Sequence, residues 1–132
     1  MATKHQSIIR MFFDQAGVAV TPGGAGAYAE SIANIRSKIA FERLLDENVR
    51  VVVTAQGNGA GNGKGIEIYN VTGAAQICEV TWDAAAMQAS LAGAWTACNL
   101  LADSVIAIRV KEGADVGEQI TVYAVDFQLE YQ

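Results

Sequence analysis

The chain has 132 residues and a mass of 13.9 kDa, enough for one domain with a single sizeable core. Its formal net charge is −5 and its nine Lys and Arg are scattered singly, which argues against a surface built to neutralise phosphates, so no nucleic-acid partner is expected. The apolar runs MFF at 11–13 and VRVVV at 49–53 are far shorter than the roughly 20 residues of a spanning helix, so no membrane partner is expected either.

Charged residues make up 17%, below the roughly 25% of ordinary soluble domains, against 52% apolar residues. That balance predicts apolar surface covered by another chain, hence a homo-oligomer. MATKHQSIIRMFFDQAG holds too few apolar residues between Arg10 and Asp14 for a secretion signal. A reducing cytoplasm is therefore expected, with Cys78 and Cys98 as buried thiols and the sequon at Asn70 unmodified.

Residues 1–34 are predicted to form an N-terminal arm, irregular or with a short helix, because SIIRMFFDQAG fits a helical turn or an edge strand equally well. TPGGAGA at 21–27, with the only proline, has the composition of a connector. Ile8, Ile9, Phe12 and Phe13 are the expected anchors of this arm on a neighbouring subunit.

Residues 35–132 are predicted to form a β-sandwich. Ile35, Ile39 and Phe41 share one parity in IRSKIAFER. Val49, Val51, Val53 and Ala55 alternate with Arg50, Thr54 and Gln56, and Val52 breaks the rule. Ile66 and Ile68 oppose Glu67 and Tyr69, while Cys78, Val80 and Trp82 oppose Glu79 and Thr81, with Ile77 the exception. DAAAMQASL at 83–91 suggests a helical turn or wide loop, and Ile106, Ile108 and Val110 then oppose Arg109 and Lys111. In the closing run, Tyr123, Val125, Phe127, Leu129 and Tyr131 are apolar on the odd positions, and Ile120, Val122 and Ala124 on the even ones. Burial on both faces is the direct reading, with Ile120 and Val122 meeting the arm or a neighbouring subunit.

The motif-like stretch is TAQGNGAGNGKGIEIYN, 54–70. A phosphate-binding loop needs a Ser or Thr after its Gly-Lys, and here Gly65 follows Gly63-Lys64 and Asn58 stands where the leading glycine belongs. The dinucleotide fingerprint is incomplete, and both motifs would have to open a helix where IEIYNV reads as a strand. Two Asn-Gly pairs point instead to a hairpin tip.

No catalytic, cofactor-binding or metal-ligating residue is assigned. The one histidine, His5, lies near the terminus and leaves Ser-His and Cys-His arrangements almost nowhere to form, and two cysteines with it cannot make a four-ligand zinc site without borrowed carboxylates. Of the acidic residues, such as Asp83, Asp103, Asp115, Glu118 and Asp126, most are expected at turns or on solvent faces. Trp82, Trp95, Tyr69, Tyr123 and Tyr131 could stack on sugar rings, with core or interface burial their more usual role; Trp82 shares parity with Cys78 and Val80 and belongs in the core.

The succession NVRVVVTAQGN, GKGIEIYNVT, AAQICEVTW, AGAW, DSVIAIRVKEG and GEQITVYAVDFQLEY resembles a jelly-roll sandwich over roughly residues 35 to 131. It looks like small virion structural proteins such as phage head-decoration proteins. That resemblance implies a symmetric oligomer, a trimer above all, that contacts other capsid proteins in a virion made in a host cytoplasm. The same succession is similar to carbohydrate-binding modules, the alternative, under which sugar would be the ligand.

Overall fold

The computed structural model describes residues 5–23, 26–36, 48–98 and 104–131. Nine strands make up its regular structure: β1 His5–Val20, β2 Glu30–Arg36, β3 Asn48–Gly57, β4 Lys64–Asn70, β5 Ala75–Trp82, β6 Gln88–Ala92, β7 Thr96–Ala97, β8 Val105–Lys111 and β9 Ile120–Tyr131. They form two antiparallel sheets. Sheet 1 runs β1-β9-β3-β6, with β7 also on β3, and sheet 2 runs β2-β8-β4-β5. Counting β6 and β7 as one interrupted strand, the chain moves from sheet to sheet in jelly-roll order.

The predicted alternation sets the core. Val49, Val51, Val53 and Ala55 of β3 face Ile66 and Ile68 of β4, Val80 and Trp82 of β5 and Ile106, Ile108 and Val110 of β8 in one cluster. The exception at Ile77 is a bulge: Cys78 pairs with Ile68 and Gln76 with Tyr69, so Ile77 is the extra residue and is also buried.

Four sequence expectations are corrected. The first concerns the arm. Residues 5–20 are strand β1, paired along β9 from His5–Tyr131 to Val20–Ile120, and Met11, Phe12 and Val20 pack against the core. The apolar character that suggested an arm is that of a strand with one face on the core. No helix occurs among the described residues; β2 begins at Glu30, and the expected strand continuing through Ile39 and Phe41 lies outside them.

The second concerns the closing run. Val122 pairs with Ala55 and Ala124 with Thr54, which leaves Tyr123 as an extra residue and switches the parity of the core face. Ile120 and Val122 before this bulge, and Val125, Phe127 and Leu129 after it, all face the same core. One bulged face therefore mimics two buried faces in the sequence. Ile120 and Val122 are both 0% exposed within the single chain, so no partner is needed to cover them.

The third concerns the glycine-rich stretch. It joins β3 of sheet 1 to β4 of sheet 2, so it is an arch between sheets and not a hairpin tip. Fourth, part of 83–91 is extended, with Val53 opposite Leu91 of β6.

Candidate functional site

Three regions gather the polar and exposed apolar side chains. The arch is the first. Lys64, the lysine of its Gly-Lys pair, lies on the inner face opposite Trp82 and is fully buried. Its Nζ donates to the carbonyls of Gly61 at 2.7 Å and Asp83 at 2.6 Å and lies 3.3 Å from Glu118 Oε1. Glu118 also accepts from the Gly59 N–H at 2.9 Å and the Gly113 N–H at 3.3 Å, and Glu112 accepts from Gly117 at 2.8 Å. A Cβ at Gly57 would run into the Lys64 stem and Glu118 Oε1, which explains why the arch starts with glycine. Glu118 sits in the loop between β8 and β9, where it is 3% exposed and neutralises a buried ammonium. The arrangement ties three loops together and aims no donor at a phosphate.

The outer face of sheet 2 is the second region. Glu67 lies 3.5 Å from Arg109 Nη1 and accepts from Gln76 Nε2 at 2.7 Å. Burial holds its carboxyl above the usual range, against the pull of Gln76 and Arg109. Tyr28 crosses this face from the β1–β2 connection: its hydroxyl donates to Glu79 at 2.7 Å, and its carbonyl accepts from Arg109 Nη2 at 2.6 Å. Desolvation, then the bond to Glu79, pushes its phenol far up. Cations cover the rings, with Arg109 4.3 Å from the Tyr69 centroid and Lys111 4.9 Å from that of Tyr28.

The other aromatics are engaged as well. Trp82 is 7% exposed in the core, where its parity put it, and Arg50 lies 4.4 Å over the Trp95 ring. Tyr123, the bulge residue of β9, packs where a Cβ on Gly17 would strike its ring at 2.7 Å; Gly17 has φ +81°, and Asp14 Oδ1 accepts from its N–H at 3.2 Å. Cys78 and Cys98 are buried and not joined in a disulfide, and burial followed by the neighbouring Cys98 pushes the Cys78 thiol up to about 12. Among the described residues no group of three or more His, Cys, Asp or Glu is arranged to hold a metal ion.

The open edge of sheet 1 is the third region. Among the described residues strand β1 pairs only with β9, and it carries Ile8 at 63%, Ile9 at 37% and Phe13 at 62% exposure. Register puts Ile8 beside Gln128, and Phe13 beside Ala124, on the outer face. Ile9 beside Phe127 and Phe12 beside Val125 point coreward, where Phe12 is half-buried. Four of the six expected interface residues therefore share one strand, while Ile120 and Val122 belong to the core. Between them Arg10 forms a two-pronged contact with Asp126, at 2.9 and 3.3 Å.

No family model and no curated protein matches this sequence. Solved structures do. A structure of Eiger TNF from S. frugiperda aligns with TM-score 0.54 at 8% identity, over 96% of this chain and 93% of that one, and shows the fold alone. The VP2 subviral particle of infectious bursal disease virus aligns with TM-score 0.49 at 8% identity over 98% of this chain, which spans 33% of the VP2 chain. A CBM36-1 domain of a multidomain xylanase from the hindgut metagenome of Trinervitermes trinervoides aligns with TM-score 0.47 at 7% identity, over 93% and 96% of the two chains. The chain is an all-β jelly-roll sandwich.

Proposed function

We propose that this chain is a non-enzymatic structural protein of a virus or phage particle, which joins further copies of itself and other capsid proteins through the edge of sheet 1. One observation carries the reading: a 16-residue edge strand, β1, leaves Ile8 and Phe13 more than half exposed. Soluble monomers blunt such edges with lysines, prolines, short strands or bulges; β1 has neither lysine nor proline along 5–20 and runs 16 residues, with bulges at Met11 and between Phe13 and Val18. A covering subunit would remove apolar area from water at about 25 cal/mol per Å². On this reading the protein resides in the virion.

The carbohydrate-binding alternative needs an open aromatic face. Arg50, Arg109 and Lys111 each already cover one face of Trp95, Tyr69 and Tyr28, which favours the structural role.

Light scattering at micromolar concentration in reducing buffer tests the proposal. The wild-type chain is expected to be a multimer, and the double variant Ile8→Ser, Phe13→Ser a folded monomer. A monomeric wild type, or a saturable change in tryptophan fluorescence on titrating neutral oligosaccharides, would sink it.

A further inference from the structure

We infer that two copies pair their β1 strands antiparallel about a two-fold axis beside Arg10 and Met11, continuing sheet 1 from one subunit into the next. This rests on the self-association proposed above and specifies its contact.

Three features of β1 support it. The first is the position of its bulge. Arg10 pairs with Asp126 and Phe12 with Val125, so Met11 is an extra residue that reverses parity within β1. Ile8 and Phe13 consequently share the outer face, and Ile9 and Phe12 the core-side face, although each pair is separated by an odd number of residues. When the strand meets its own copy antiparallel, a single register places Ile8 opposite Phe13 of a second copy and Ile9 opposite Phe12 of a second copy. Symmetry repeats both pairs. Without the bulge, the same pairs would put side chains on opposite faces.

The second feature is charge. Apart from His5, the strand holds one cation, Arg10, and one anion, Asp14. Antiparallel pairing in this register sets each Arg10 beside Met11 of the other copy, one residue from the symmetry-related Arg10, whereas in-register parallel pairing would set Arg10 directly opposite Arg10. Near the axis each guanidinium is already held by Asp126 at 2.9 Å. The third is the backbone: β1 is bonded to β9 on one side, and its other side is an open edge among the described residues. An isologous contact of this type gives dimers or even-numbered assemblies.

Cross-linking through flanking positions tests the register without touching the apolar residues. In this register Gln6 falls near Gln15 of a second copy, just past Phe13 where the second bulge begins, and both are exposed. The double variant Gln6→Cys, Gln15→Cys is treated with a short bismaleimide, which the buried Cys78 and Cys98 do not reach. Covalent dimers are expected from the double variant and from neither single variant, because at the usual strand rise, with the bulges of β1 taken into account, like positions in the two strands sit more than about 20 Å apart. Adding Ile8→Ser and Phe13→Ser should abolish the product. A wild-type multimer that gives no cross-link, cross-links equally in the single variants, or has the mass of a trimer overturns the two-fold pairing and leaves self-association standing. A wild-type monomer overturns both.

Discussion

Lys64 shows how much a residue's meaning depends on its neighbours in space. In the sequence it sits in a Gly-Lys-Gly context, where a lysine invites comparison with phosphate loops; in the fold it lies inside the sandwich with its charge balanced by Glu118 at 3.3 Å. Removing one member of such a pair leaves a buried charge, so Lys64→Met should cost about 3 kcal/mol, read as a lowered urea midpoint. The change Lys64→Met with Glu118→Leu should cost clearly less than the sum of the two single changes, and a strictly additive cycle would show that the pair is not coupled. Glu67 makes a second prediction at this scale. Burial raises its carboxyl in the folded state, so the folded chain binds a proton where the unfolded chain has lost it. Its contribution to stability is therefore greatest at low pH and declines as pH rises through the window between the ordinary carboxylate range and the raised value. The difference in Tm between wild type and Glu67→Gln, followed from about pH 4 to 7, should change across that window. A constant difference would place the Glu67 carboxyl at its ordinary value.

At the level of elements, the strands whose alternation is clean were legible in the sequence and the bulged ones were misread. β3, β4 and β8 carry an unbroken period of two on their core faces, and all of those residues are buried. β9 contains Tyr123 as an extra residue, and a bulge shifts parity without leaving any mark of its own in composition. β1 reads as an arm in the sequence because Met11, Phe12 and Phe13 are contiguous, and the bulges near Met11 and between Phe13 and Val18 interrupt its period of two. Its place in the sheet changes what truncation does. An arm could be deleted without loss of fold, but removing residues 1–20 strips Met11, Phe12 and Val20 from the core and opens the β9 edge. The loss should exceed about 5 kcal/mol, comparable with the whole stability of a small domain, and the truncated chain should show no cooperative thermal transition by circular dichroism. A cooperative transition near that of the full chain would mean that β1 is dispensable to the core.

For the whole molecule, one core accounts for both sheets, and of the six exposed large apolar residues among the described ones, Ile8, Ile9 and Phe13 share one edge while Val71, Met87 and Val116 lie in turns and loops. The low charged fraction pointed to a covered surface, and the fold supplies a location for it. By itself the sequence determined the all-β class, the inward faces of the regular strands and the absence of a complete nucleotide-loop motif, because these depend on local period and on spacings of a few residues. Only the tertiary structure decided that the glycine-rich stretch arches between sheets, that Lys64 meets Glu118, and that Ile120 and Val122 belong to the core while Ile8 and Phe13 stay outside. The reason is physical: register and strand order are set by contacts between residues more than a hundred positions apart, as Arg10 and Asp126 are, and no local pattern encodes which strand lies beside which.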